Sequence, residues 1–138
     1  TAQQPRSIRR SAYDVELIDR ADNTWLVVLQ QTVHHMQNFH PGEKRTCGIL
    51  VSPAVMGDLQ AVMDTTILDR TVLDAAVSLV QDAKGLEFDY VIIADPVGMV
   101  EASPQGLNDL FVAMTRATQA LAIVHDGAVP YCLSDLVE

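Results

Sequence analysis

Val91-Ile92-Ile93-Ala94 is apolar at every position and rich in β-branched residues. A strand that is apolar on both sides needs cover on both faces of its sheet, which is the situation of a central parallel strand. Cys47 to Val51, Val77 to Val80 and Leu121 to Val124 read the same way. Tyr13 to Leu17 differs, because Tyr13, Val15 and Leu17 alternate with Asp14 and Glu16. That is the pattern of a half-exposed strand nearer an edge.

Helical spacing fills the intervals. From Asn23 to about Phe39, residues Trp25, Leu29, Thr32, Val33, Met36 and Phe39 recur at three and four, with Asp22 or Asn23 to cap the start and Pro41-Gly42 to stop it. Ser52-Pro53 is an N-cap followed by proline at the first helical position, and Val55, Met56, Leu59, Val62 and Met63 make one face of a second helix. A third is expected from about Leu107 to Gln119, with Leu107, Leu110, Phe111 and Met114 as its buried stripe. Strands alternating with helices predict an α/β fold, a mostly parallel sheet with helices on both faces. Chemistry in such sheets is expected in loops at the carboxyl ends of strands.

The 138 residues fit one domain, 1–138. A hydrophobic fraction of 49% with 20% charged residues excludes disorder, and no apolar run is long enough for a membrane span. Cys47 and Cys132 lie 85 positions apart without zinc-type spacing, and no export signal is visible. A cytoplasmic protein with reduced thiols is the expectation. The chain opens at Thr1 rather than Met, the mark of processing or of a piece of something longer.

Two segments carry chemical information. Asp82-Ala83-Lys84-Gly85-Leu86-Glu87-Phe88-Asp89 sets a glycine, a cation and a carboxylate within four residues, ahead of the Val-Ile-Ile strand. Read alone, it is also an ordinary connection with solvated Lys84 and Glu87. Leu110-Phe111-Val112-Ala113-Met114-Thr115-Arg116-Ala117-Thr118 places Arg116 nine residues from Leu107, on the expected helix about 180° from its buried stripe and pointing away from the core.

Taken together, Lys-Gly-Leu-Glu-Phe-Asp before an apolar strand and Phe-Val-Ala-Met-Thr-Arg-Ala-Thr before a closing apolar strand closely resemble the last two motifs of UvrD/Rep-like superfamily 1 helicases. The resemblance is specific over Val77 to Val124. It implies the second, C-terminal RecA-like lobe of an ATP-dependent DNA helicase or translocase. It also implies a nucleotide site in which Glu87 lies by the ribose, Lys84 and Gly85 shape the coupling loop, and Arg116 reaches the γ-phosphate as a catalytic residue. A guanidinium suits that place because it is permanently charged and can hold two phosphate oxygens, a contribution of roughly 10³ to 10⁵ in rate. No Gly-x-x-x-x-Gly-Lys-Ser/Thr occurs in the chain, so it is expected to be half of a composite site and inactive alone. ATP and Mg²⁺ would be bound only in the full-length protein, with an N-terminal P-loop lobe and single-stranded DNA as partners.

The chain departs from the family in places. Phe111 replaces the usual Tyr, and Leu79, Val80 and Gln81 stand where a Thr-x-His segment touches single-stranded DNA. Only 25 residues separate Val51 from Val77, too few for the accessory domain of UvrD-type enzymes. That short connection, Asp95-Pro96 and the Leu-Ala-Ile-Val-His…Val-Pro tail look more like the HelD-type branch, whose members bind and release bacterial RNA polymerase. Ile8-Arg9-Arg10-Ser11 is similar to the family's Tyr-Arg-Ser, but it precedes a strand pattern rather than a helix, and Arg10 is left out of the site. His34 and His35 point about 100° apart on a helix and cannot converge on one metal ion; with His40 they read as polar-face residues, and no metal site is expected.

Nine Lys and Arg against eighteen Asp and Glu give a net charge of -9, which repels a phosphate backbone unless the cations are gathered together. Fluorescence anisotropy with a labelled single-stranded oligonucleotide should therefore show negligible binding by this chain at physiological salt. Submicromolar affinity with a steep salt dependence would contradict the charge argument.

Overall fold

The computed structural model describes residues 6–10, 13–38, 45–63, 76–83, 85–130 and 133. Strands β1 (Arg6–Arg10), β2 (Tyr13–Asp19), β3 (Cys47–Val51), β4 (Ala76–Ser78), β5 (Phe88–Ala94) and β6 (Ala117–His125) form one sheet in the order β1-β2-β6-β5-β3-β4. Five of them, β2 to β6, run parallel, and β1 adds an antiparallel edge against β2. Helices α1 (Trp25–Gln37), α2 (Pro53–Met63), α3 (Pro96–Glu101) and α4 (Gly106–Met114) cover the faces.

Alternate residues of the central strands feed two separate cores. Ile49, Val51, Tyr90, Ile92, Ala94, Ala120, Ala122 and Val124 meet Trp25, Leu29, Val33 and Met36 of α1 and Val55 and Leu59 of α2. Small residues at 94, 120 and 122 leave room there for the large side chains of α1. On the other face Leu50, Val91, Ile93, Leu121 and Ile123 meet Met99, Leu110 and Ala113. This two-sided burial is why these strands carry no polar alternation.

The helix ends follow local chemistry. Thr24, not Asp22 or Asn23, caps α1, its hydroxyl accepting from the Val27 amide at 3.3 Å. Ser52 caps α2 through the Val55 amide at 3.2 Å and also donates to Asp95 at 2.7 Å. Asp95, at φ 65° and ψ 65°, holds the start of α3 by accepting from the Gly98 amide at 3.1 Å. Phe39, Pro41-Gly42 and His40 lie outside the described residues.

The structure corrects several expectations. β2 is an interior strand with Glu16 buried, because β1 covers its edge and His35 of α1 meets the Glu16 carboxylate at 2.7 Å. His35 is therefore a partner of a buried acid rather than a simple surface histidine. The strand expected at Val77 to Val80 is Ala76–Ser78, and Val80 belongs to a 3-10 turn, Val80–Ala83. The third helix ends at Met114 and not near Gln119, its buried residues being Gly106, Leu110 and Ala113, while Leu107 and Phe111 are exposed. Residues 117–119 instead extend β6.

One close approach fixes the sheet's amino-terminal edge. The Phe88 ring lies on the backbone of Gly48, where an added Cβ would come within 2.6 Å of it. Gly48→Ala should destabilise the fold by about 1–3 kcal/mol in chemical denaturation, as overpacking does. Phe88→Leu should recover part of the loss. An unchanged midpoint for Gly48→Ala would mean that the ring can move away freely.

Candidate functional site

β5 and β6 pair in parallel from their first residues, Phe88 opposite Ala117. The residues just before each strand are thereby neighbours, which places Gly85, Leu86 and Glu87 beside Arg116. The Phe88 amide donates to the Arg116 carbonyl at 2.9 Å, and Arg116 Nη1 donates to the Leu86 carbonyl at 3.4 Å. Thr118 Oγ1 donates to the Phe88 carbonyl at 3.4 Å, closing the same corner.

Arg116 does not ride on a helix face, as its spacing from Leu107 implied. It occupies the turn between α4 and β6, half-buried, after the helix has ended at Met114 with Thr115 as its C-cap. Its Nη2 donates to Thr115 Oγ1 at 3.3 Å, and its Nε is buried without a partner among the described residues. The carbonyl end of α4 adjoins this cation, a favourable charge–dipole arrangement.

Gly85 and Glu87 are exposed, and Lys84 lies outside the described residues. Gly85 has φ +80°, a conformation that side chains disfavour, although a Cβ there would meet nothing within 4 Å. The expectation that chemistry gathers at carboxyl ends of strands fails for this pair, since the 3-10 turn carries the chain to the amino-terminal end of β5. Thr46 and Asp89 brace the same edge: the Asp89 carboxylate accepts from the Thr46 amide at 2.9 Å and the Asp89 amide donates to Thr46 Oγ1 at 2.9 Å.

Other chemistry-bearing groups do not join this corner. Burial pushes the Cys47 thiol up to about 12, so it stays protonated and is no nucleophile near neutral pH. Burial lowers the His125 pKa, an effect partly offset by Asp19 and Asp126, and that residue ends β6 at the opposite edge of the sheet. Among the described residues no three His, Cys, Asp or Glu side chains form a group able to hold a metal ion. No helix among them is long and apolar enough to cross a membrane. At the carboxyl edge, Leu79, Val80 and Gln81 help line a groove of about 120 Å³ with Val51, Met99 and Asp109. Arg20 stacks 4.7 Å over Trp25 in a second groove of about 310 Å³.

The segment from ahead of β4 through most of β6 holds the whole corner. Residues 74–124 match the UvrD-like helicase C-terminal domain. A solved structure, the C-terminal domain of a possible DNA helicase from Lactobacillus plantarum WCFS1, is similar over 90% of this chain and 80% of that one, with 20% identity and a TM-score of 0.53. That likeness concerns the α/β fold. No curated protein matches the chain.

Sequence reasoning singled out Gly85, Glu87 and Arg116 as candidates but not the Leu86 carbonyl and the Thr115 hydroxyl, which accept from the guanidinium. A backbone acceptor leaves no mark in a sequence, and a threonine ahead of an arginine is common. Gly85→Val should lower stability by about 1–3 kcal/mol through backbone strain alone, since its Cβ has open space. Thermal and urea unfolding test this, and no change would mean that the loop relaxes to negative φ.

Proposed function

We propose that this chain is the C-terminal motor lobe of an ATP-dependent DNA helicase or translocase and completes an ATP site whose P-loop half lies on another lobe. One observation supports it most: the two motif segments, separated by about thirty residues of sequence, converge at the start of β5 and β6, where Arg116 donates to the Leu86 carbonyl. The match of residues 74–124 to the UvrD-like helicase C-terminal domain covers both segments.

In this reading Arg116 faces the γ-phosphate across the cleft between lobes. Phosphoryl transfer spreads negative charge over the γ-phosphate oxygens, and a preorganised guanidinium stabilises that charge without solvent reorganisation. Glu87 lies by the ribose, where a carboxylate accepts from hydroxyls. Gly85, with Lys84, gives the loop the turn that links nucleotide state to the rest of the lobe. Mg²⁺ accompanies the nucleotide on the P-loop half.

The departures in sequence favour a second reading, a HelD-type ATPase that remodels or releases RNA polymerase. Its support is that Leu79 packs partly on the core and Val80 is buried, so in the segment that would touch single-stranded DNA Gln81 is the one fully exposed residue. Co-purification with polymerase, set against stimulation of ATP turnover by single-stranded DNA, separates the two.

Arg116→Ala tests the site. Among the described residues the side chain makes only long hydrogen bonds, so stability should fall by no more than about 0.5 kcal/mol. In the full-length ATPase, turnover should drop by about two to five orders of magnitude, and Arg116→Lys should restore little because an ammonium lacks the fork. Normal hydrolysis by a folded Arg116→Ala protein would refute the assignment.

A further inference from the structure

Thr115 ends α4 and immediately precedes Arg116. Its hydroxyl donates to the Val112 carbonyl at 2.7 Å. A hydroxyl has one hydrogen, so with that committed only its lone pairs remain for other partners. Arg116 Nη2 donates to them at 3.3 Å, while Nη1 donates to the Leu86 carbonyl at 3.4 Å. Both terminal nitrogens of the fork are thus held, one from each motif segment.

The main chain beneath is fixed separately. The Arg116 amide donates to the Ala113 carbonyl at 3.1 Å, and the Arg116 carbonyl accepts from the Phe88 amide at 2.9 Å. These bonds place the Cα but do not by themselves set the direction of the guanidinium. Its direction is set by the two acceptors, of which the Thr115 hydroxyl is the one supplied by a side chain. The buried Nε has no partner among the described residues, so the resting arrangement engages the guanidinium only at its tips and by long bonds. Such a hold orders the side chain in advance without competing strongly with a phosphate, which forms shorter charge-assisted bonds.

We propose that Thr115 is a positioning residue for Arg116: its hydroxyl, oriented by the Val112 carbonyl, holds the guanidinium beside the Leu86 loop in readiness for the phosphate. This rests on the reading of Arg116 as the residue that meets the γ-phosphate. Because the interaction prepares a group used in the transition state, its loss falls on kcat and spares KM. The helix end itself does not need the hydroxyl, since the Thr115 amide already bonds the Phe111 and Val112 carbonyls at 3.2 and 3.1 Å.

The test compares wild type, Thr115→Val, Thr115→Ser and Arg116→Ala in ATP turnover by the full-length ATPase, with the Arg116 Nε–Hε resonance of the present chain followed in parallel by NMR. Thr115→Val keeps the shape and removes the hydroxyl. It should lower kcat about tenfold with KM for ATP within about twofold, and should shift or broaden the Arg116 resonance. Thr115→Ser should return kcat to within about twofold of wild type. Wild-type kcat in Thr115→Val overturns the inference, and so does a loss that Thr115→Ser fails to restore, which would mark a general disturbance of the helix end. Full turnover by Arg116→Ala overturns the underlying reading and the inference with it. That case is recognisable because the resonance still responds to Thr115→Val while turnover ignores both residues.

Discussion

The hydrogen bond from the Phe88 amide to the Arg116 carbonyl, 2.9 Å long, starts the parallel pairing of β5 with β6, and the candidate site depends on it. Parallel strands cannot be joined by a tight turn, so their first residues come from distant parts of the chain. Whatever precedes one strand is then set beside whatever precedes the other. Here those are a glycine-bearing loop with a carboxylate and a helix end with an arginine. Phe88 anchors the corner three times, through its amide, its carbonyl and a ring seated on Gly48. Burial of the strands beyond this corner on both faces makes the register costly to shift, since a slip of one residue would exchange the two cores.

The central strands were legible because two-sided burial removes polar residues, as in Val91 to Ala94 and Leu121 to Val124. β2, second from the sheet's edge, was read as half-exposed for a related reason. Glu16 reads as an exposed residue in a pattern, but a buried carboxylate paired with His35 looks the same in one dimension. β1 and the short helix α3 gave no periodic signal, being five and six residues long. The third helix was extended too far because Ala117 and Gln119 are good helix formers, a preference that pairing with β5 overrides. That error also moved Arg116 from a turn to a helix face.

The corner's electrostatics fit a site completed from outside. A chain with net charge -9 offers Arg116 half-buried at the amino-terminal edge of the sheet, with a helix carbonyl end and two neutral acceptors around it. The acidic chain as a whole is not expected to attract polyanions, yet in the proposed reading one ordered guanidinium meets a single phosphate presented to it by another lobe. Cys47 nearby is kept protonated by burial and supplies no competing nucleophile. The groove lined by Leu79, Val80 and Gln81 lies at the opposite edge, so any contact made there with nucleic acid or protein would be separated from the Arg116 corner by the length of the strands.

The central claim is that Arg116 and the Gly85–Glu87 loop meet one nucleotide. A crystal structure of the full-length ATPase trapped with ADP, magnesium and aluminium fluoride tests it most directly. The account predicts the Arg116 guanidinium within hydrogen-bonding distance of the fluoride group that mimics the γ-phosphate, with Glu87 beside the ribose. A nucleotide bound with Arg116 still on the Leu86 carbonyl and Glu87 in open solvent would contradict it.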